Sequence, residues 1–305
     1  AQCLLSALKD LYPASAIDVM APAWAAPLIG RMPEARARID APFQPGELGF
    51  AYRRRVGHAL RGRYARAYVL PGSWKSALVP FFARIPLRIG FLREMRFGLL
   101  NAIVPLPKER KRRTAEMFHL LAGGGGFRPP HLSVDRDHQA DLLTRYGLKA
   151  GSYAALLPGA EFGPAKRWPE DKYAALAQYL DRCGLRTILL GSGKDQEVGR
   201  KITSLFPHAL DLTGKTRLED AIDLLDAARV AVANDSGLMH VAAAVGTPVV
   251  GIYGSTSYDD TPPLTDRREL VSLHLSCSPC HERECPLGHL NCLRKLDVDR
   301  LAQAV

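Results

Sequence analysis

The chain predicts an α/β fold of two doubly wound parallel-sheet domains, and three observations carry that prediction. Short β-rich apolar runs alternate with helical apolar spacing on both sides of a glycine-bearing link at 147–151. A length of 305 residues is long for one domain and comfortable for two. A hydrophobic share of 47% suits a globular chain with a sizeable core. The predicted domains are 1–148 and 149–305. In such sheets ligands bind beyond the carboxyl ends of the strands, so two facing domains imply a central cleft.

The first half reads as follows. Leu4 to Tyr12 has helical spacing and is closed by Pro13. Ala16 to Met20 is a strand and Ala23 to Met32 a helix. Tyr64 to Leu70 is a second strand, and Ser73 or Ser76 starts a helix through Ala77-Leu78-Val79. Arg84 to Phe91 gives a strand and loop, and Arg113 to Leu121 a helix. Gly123 to Gly126 with Pro129-Pro130 is a break. Asp137 to Tyr146 is an amphipathic helix leading into the link.

Beyond the link the alternation restarts. Strands are expected at Tyr153 to Leu157 and Thr187 to Leu190, with helices at Glu170 to Cys183, Asp195 to Phe206 and Leu218 to Ala228. The most informative segment comes next: an apolar strand from Val230, the turn Asn234-Asp235-Ser236-Gly237, and an Ala-rich helix. Asp235 or Ser236 can cap that helix, and Gly237 lets a ligand approach the backbone. Free N–H groups and a partial positive charge at such a helix start suit a phosphate. His240 lies about one turn further on. A last strand, Pro248 to Gly254, ends in another Gly/Ser-rich loop.

Three further loops at strand ends carry chemistry. Pro158 to Pro169 places Lys166 and Arg167 where a diphosphate can be clamped, while Trp168-Pro169 reads as structural. In Gly191-Ser192-Gly193-Lys194-Asp195 the glycines permit close approach, and Asp195 can accept hydrogen bonds from a ribose or base. Thr216, in the polar loop from Asp211, borders the same pocket. Asp235 aimed at a diphosphate would repel it, so it is expected to cap amides or face a hydroxyl.

The charge balance is basic, 41 Lys+Arg against 31 Asp+Glu. One cluster comprises Arg53, Arg54, Arg55, His58, Arg61, Arg63 and Arg66; another comprises Lys108, Arg110, Lys111, Arg112 and Arg113. Such surfaces favour phosphorylated substrates or an acidic membrane face. Without aromatics interleaved, nucleic acid is not expected as a partner. No run has the apolar length of a transmembrane helix, and no signal peptide is visible. Cys277, Cys280, Cys285 and Cys292 crowd together with His281 and His289. Cys277-x-x-Cys280 has metal-ligand spacing, but the rest departs from the paired zinc-knuckle pattern. The segment therefore reads as a cysteine-rich surface loop, and no metal is assigned.

Gly159 to Pro169 together with Asn234 to His240 resembles the ADP-heptose:lipopolysaccharide heptosyltransferases, glycosyltransferase family 9, nearest to the members that add the second inner-core heptose. Ile17 to Trp24, Tyr68 to Pro71, Lys75 to Phe82, Arg93 to Arg96 and Thr261 to Leu264 fit as well. The resemblance implies a GT-B fold of two Rossmann-like domains, the acceptor on the N-terminal side and the nucleotide sugar on the C-terminal side. It implies inverting, metal-independent transfer of heptose from ADP-heptose to heptosyl-Kdo-lipid A, with no cofactor, at the cytoplasmic surface of the inner membrane. Lys166 then matches the diphosphate-stabilising lysine. Ser236, Gly237, Leu238 and His240 match the ADP-holding turn, and Glu161 and Thr216 match donor contacts. Ser192, Asp195 and Asp235 complete the expected donor set. Family members open with a strand and a Gly-Asp loop ahead of the helix that begins here at Ala1-Gln2. The acidic residue of that loop is the usual acceptor base, so a preceding piece is expected. Two alternatives stay open: a heptosyltransferase for another core position, and a non-catalytic nucleotide-sugar-binding protein.

Overall fold

The computed structural model describes residues 1–43, 46–106 and 113–305. It divides into two compact units, Ala1–Gly30 with Glu34–Arg128, and Arg31–Pro33 with Pro129–Val305.

In the first unit, α1 (Gln2–Leu11) buries Leu4, Leu5 and Leu8, and it ends where Pro13 forbids another turn. On the same helix Gln2 and Ser6, one turn apart, both donate to the Glu34 carboxylate, at 2.9 and 2.5 Å. Then follow β1 (Asp18–Ala21), α2 (Ala26–Gly30), β2 (Ala37–Asp40), α3 (Phe50–Ala59), β3 (Arg66–Val69), α4 (Leu78–Phe82), β4 (Leu87–Phe91), β5 (Ala102–Val104) and α5 (Thr114–Leu120). All the strands run parallel, but not in the single sheet predicted. β1 pairs with β2, and β3–β4–β5 form a second sheet, with no ladder joining the two among the described residues. α3 packs on α4 at Gly57, where a Cβ would lie 2.6 Å from that of Phe82. Only glycine permits this approach.

The second unit holds α6 (Arg136–Tyr146), β6 (Tyr153–Leu157), α7 (Glu170–Arg182), β7 (Arg186–Leu189), α8 (Gln196–Leu205), β8 (Leu210–Asp211), α9 (Leu218–Ala227), β9 (Val230–Asn234), α10 (Gly237–Ala244), β10 (Val249–Ile252), β11 (Arg268–Val271), α11 (Asn291–Arg294) and α12 (Val298–Ala304). Its six parallel strands are ordered β11-β10-β9-β6-β7-β8. In chain order this is 6-5-4-1-2-3, the Rossmann arrangement, with the order reversing between β6 and β9. Both strands are buried along their whole length, as parallel strands covered by helices on each face must be. The expectation that Trp168 is structural holds. It is 1% exposed, packs edge-on against Tyr173, and donates from its indole to the Leu296 carbonyl at 3.2 Å. Truncating such a side chain costs about 3–5 kcal/mol.

The boundary expected at 148 is corrected to 128. α6 belongs to the second unit because polar contacts bind it to α9. Gln139 donates to the Asp223 carbonyl at 2.7 Å, the His138 imidazole sits 2.7 Å from the fully buried Asp223 carboxylate, and Arg136 pairs with Asp226. Arg31 joins the same unit through its 2.6 Å ion pair to Asp223. α6 is capped by Asp135, whose carboxylate accepts the His138 N–H at 3.1 Å, and it ends at Gly147 in the left-handed region. β2, β5, β11, α11 and α12 had no counterpart in the sequence reading. Each is short or half-exposed and lacks a full period of apolar spacing.

Candidate functional site

The order reversal brings together the loops after β6 and β9, which are the two richest in candidate residues. Asn234, the last residue of β9, is fully buried and ties these loops together. Its Oδ1 accepts the Trp168 N–H and the Tyr173 hydroxyl, both at 3.1 Å, and its amide donates to the Pro158 carbonyl at 2.7 Å. Sequence reading treated Asn234 as a turn residue; its partners are remote in the chain.

Lys166 ends a tight 3-10 turn, Pro164–Lys166, entered through Gly163. A Cβ on Gly163 would meet the Arg283 carbonyl oxygen at 2.5 Å, and that oxygen accepts the Ala165 N–H at 3.1 Å. So placed, the Lys166 ammonium donates to Asp235 Oδ2 at 2.6 Å and lies 4.8 Å from the centre of the Phe162 ring. The Asp235 carboxylate also accepts the hydroxyl of Thr256 at 2.7 Å and that of Thr261 at 3.4 Å. The hydroxyl-facing expectation for Asp235 therefore holds, and the capping expectation is corrected. Its oxygens are turned to an ammonium and two hydroxyls, which screen the charge that would repel a diphosphate. Thr256 and Thr261 were not identified from sequence. The Gly/Ser-rich loop after β10 was noted, but nothing local aims its hydroxyls at Asp235.

Ser236 is the N-cap residue of α10, in extended conformation, but its side chain makes no capping bond, contrary to expectation. Gly237 follows with open space where a Cβ would stand. The first amides of α10 are thus left to a ligand or water rather than to a cap. Leu238 is half-buried beside them. His240 reaches solvent, yet protein atoms crowd it closely. Burial holds its pKa below the ordinary histidine value; nearby Lys166 acts in the same direction and Asp235 against it. Arg167 Nε and Ser255 Oγ, on the adjoining loops, are buried without hydrogen-bond partners among the described residues.

A second group forms at the ends of β7 and β8. Asp195 is 8% exposed, and its Oδ2 accepts both the backbone N–H and the hydroxyl of Ser192, each at 2.8 Å. A Cβ on Gly159 would lie 2.7 Å from the same carboxylate. Asp195 organises its own loop and the seat of the loop after β6. Ser192 is its partner. Glu161 is exposed and pairs with Lys194 at 2.5 Å, which holds its carboxyl below the usual range and bridges the two loops. Thr216 is half-buried on the next loop, which docks through the Gly214 N–H to the Gly191 carbonyl at 2.9 Å.

The basic cluster of the first unit divides. Arg53 is 6% exposed, donates to the Leu48 carbonyl at 2.6 Å and stacks 3.6 Å over Phe43, so it is a packing residue rather than a surface cation. Arg54, Arg55, His58, Arg61, Arg63 and Arg66 are exposed. Of the second cluster only Arg113 falls among the described residues. No helix among them is long and apolar enough to cross a membrane.

The model of glycosyltransferase family 9 (heptosyltransferase) matches residues 53–291. The chain is 44% identical over 290 residues to lipopolysaccharide heptosyltransferase 2 of Escherichia coli K12, covering 89% of this chain and 83% of that one. It is 40% identical over 289 residues to lipooligosaccharide heptosyltransferase 2 of Haemophilus influenzae, covering 88% and 83%. A solved structure of E. coli ADP-heptose lps heptosyltransferase II superposes with a TM-score of 0.86 at 39% identity, over 99% of this chain and 92% of that one.

Proposed function

Because the chain belongs to glycosyltransferase family 9, the heptosyltransferases, we propose that it transfers heptose, with inversion, from ADP-heptose to the heptose already on the lipopolysaccharide inner core. The observation that carries the donor assignment is the Lys166–Asp235 contact beside the uncapped start of α10. In the transfer the acceptor hydroxyl oxygen bonds to the anomeric carbon, the bond from that carbon to the diphosphate oxygen breaks, and ADP departs with the electron pair. The hydroxyl proton passes to a general base. The family pattern gives that role to an acidic residue on a loop ahead of α1. Charge grows on the diphosphate as the bond breaks, and the Lys166 ammonium with the Ser236–Leu238 amides answers it.

Asp235, screened by Thr256 and Thr261, positions the ammonium. His240 approaches the diphosphate as a neutral ring that an arriving anion makes easier to protonate. With an ammonium and helix amides supplying positive charge, the chemistry itself calls for no metal ion or cofactor. Glu161 and Thr216 border the sugar or nucleoside. The acceptor belongs to the first unit, whose exposed Arg54 and Arg55 meet the anionic groups of heptosyl-Kdo-lipid A at the cytoplasmic face of the inner membrane.

Titration calorimetry with ADP and ADP-heptose, beside a transfer assay on defined truncated lipopolysaccharides, tests this reading. Saturable ADP uptake lost in Lys166→Ala and transfer to the mono-heptosylated acceptor are expected. No uptake refutes the donor site. Transfer only to another core acceptor refutes the position assigned.

A further inference from the structure

The donor loops leave the six-stranded sheet at the carboxyl ends of its strands. At the opposite ends of the same strands lies a cavity of about 360 Å3, open to solvent and lined by residues of the second unit alone. Its walls are the turns that lead into β6, β9, β10 and β11, with α6 along one side. Backbone bonds fix these turns. The Gly151 N–H donates to the Ala227 carbonyl at 2.8 Å, the Ala231 N–H to the Pro248 carbonyl at 2.9 Å, and the Val249 N–H to the Arg267 carbonyl at 2.9 Å. Gly151 and Gly246 both turn in the left-handed region, and a Cβ on either would meet no atom within 4 Å. The fold thus keeps the space open, and its size falls in the range of small-molecule sites, about 300–1000 Å3.

Arg136, Arg229, Arg267 and Asp226 supply the charge around this space. Arg136 pairs with Asp226 Oδ2 and donates to Gln139 Oε1 at 2.9 Å. Gln139 donates to the same Oδ2 at 2.8 Å, and Asp226 Oδ1 accepts no hydrogen bond among the described residues. Arg267 Nη1 donates to the Gly246 carbonyl at 2.9 Å, which leaves its Nε and Nη2 uncommitted. The exposed Arg229 side chain makes no hydrogen bond or ion pair among the described residues. Once Arg136 and Asp226 offset each other, two positive charges remain for a ligand. α9 and α10 both end here, however, and their dipoles turn partial negative charge to the same space. A bare anion is therefore a poorer fit than an anion that also carries hydrogen-bond donors. No aromatic side chain among the described residues lines the cavity, so it offers no platform for stacking a nucleobase.

We propose that this cavity binds a phosphorylated polyol, with its phosphate held by Arg229 and Arg267 and its hydroxyls by Asp226. Guanidinium forks match phosphate oxygens in bidentate pairs, and a carboxylate accepts from hydroxyls. Both kinds of partner line one concavity, whereas a simple anion site would need only the first. The same chemistry belongs to a soluble sugar phosphate and to the phosphoglycerol headgroup of a lipid. None of the residues involved belongs to the Lys166–Asp235 group, so the assignment is independent of the donor site proposed above.

Titration calorimetry of the full chain with glucose 6-phosphate, with and without ADP present, tests the soluble source. Sedimentation with phosphatidylglycerol vesicles tests the lipid one. Saturable uptake of glucose 6-phosphate that ADP does not displace is expected, with glucose itself not taken up and inorganic phosphate bound more weakly. Arg229→Ala with Arg267→Ala should weaken that uptake about ten- to a hundredfold, the usual loss when hydrogen bonds to a charged group are removed. Arg229 makes no bond within the fold, so Arg229→Ala alone keeps the test should the double variant lose its circular dichroism. Vesicle binding that the same substitutions remove, without uptake of the soluble compound, upholds the site and assigns it to a lipid headgroup. Uptake of glucose 6-phosphate in a chain that binds no ADP upholds the site and removes the donor assignment instead. Uptake that ADP displaces, or that the substitutions leave unchanged, overturns the proposal. So does inorganic phosphate bound as tightly as the sugar phosphate, and so does the absence of both uptake and any effect on vesicle binding.

Discussion

Lys166 and Asp235 stand 2.6 Å apart with side chains only 13% and 5% exposed. A pair this sheltered is costly to break from one side, about 3–5 kcal/mol, because the survivor is a buried charge without its partner. Lys166→Ala should therefore lower kcat about 100- to 1000-fold, the range for losing one preorganised charge stabiliser, and should lower thermal stability as well. Steady-state transfer kinetics and a melting curve measure the two effects. Lys166→Ala with Asp235→Asn should recover stability without activity. At His240 the depressed pKa means the native ring is neutral where an unfolded chain's ring is already protonated. Its contribution to folding stability therefore falls as pH drops from about 6.5 and levels off below the depressed value. A bound diphosphate raises that pKa again. ADP binding should then take up a proton below about pH 6.5. Calorimetry in buffers of different ionisation heat reads the uptake, and it should vanish in His240→Gln. Lys166, Ser236 and His240 were legible in the sequence because strand-end loops have local signatures. Thr256 was not, since it meets Asp235 from 21 positions away.

At the scale of elements, two polar side chains hold backbone segments together. Asn234 satisfies groups from Pro158, Trp168 and Tyr173 at once. Asn234→Leu leaves the buried Trp168 N–H and Pro158 carbonyl without this partner and the Tyr173 hydroxyl with only its 3.4 Å bond to the Leu157 carbonyl, at about 1–3 kcal/mol for each group left unpaired that water does not recover. A loss of about 3 kcal/mol in urea unfolding is expected, with ADP affinity reduced because the two ligand loops separate. In the first unit Asp18 accepts Arg36 Nε at 2.8 Å and Nη2 at 2.5 Å, and the Tyr64 hydroxyl at 2.5 Å, thereby linking β1 to the approaches of β2 and β3. The Arg36 hydrogen bonds hold the Asp18 carboxyl below its usual range, helped by Tyr64 and opposed by burial. A depressed carboxylate stabilises the fold above the unfolded pKa, about 3.9, and loses that contribution as pH falls through the lower native value. Asp18→Asn should destabilise the protein at neutral pH and flatten its acid unfolding below about pH 4, as followed by circular dichroism. Most helices were readable from apolar period and caps; β2, β5 and β11 were not, because half-exposed edge strands carry weak patterns.

For the whole molecule, the fold is GT-B and the net charge is +10. The cations are not equivalent. Arg53 is consumed in packing on Phe43, whereas Arg54 and Arg55 are exposed, with the Arg55 guanidinium 4.9 Å over the Tyr52 ring. Charge reversal of Arg54 and Arg55 to Glu should weaken binding to anionic phospholipid vesicles and raise the acceptor KM while leaving ADP affinity unchanged. The vesicle binding of the unaltered protein should itself fall with salt, since exposed charges are screened over about 8 Å at physiological ionic strength. Sedimentation with vesicles across a salt series, beside acceptor kinetics, provides the check. Vesicle binding indifferent to both salt and substitution would overturn the proposed membrane role of these arginines.

The sequence by itself determined the alternation of strands and helices, the two-domain plan, and the placing of Lys166 and the Asp235–Gly237 turn at strand ends. Each of these follows from interactions within a few residues of chain. Tertiary structure alone decided which side chains are spent on the fold and which remain free. Asp195 turns inward to its own loop, Arg53 folds onto an aromatic ring, α6 joins the second unit through α9, and Thr256 and Thr261 arrive at Asp235 from a later strand. A carboxylate or guanidinium is committed by the donors, acceptors and burial around it, and those are brought near by packing between segments that no local pattern records.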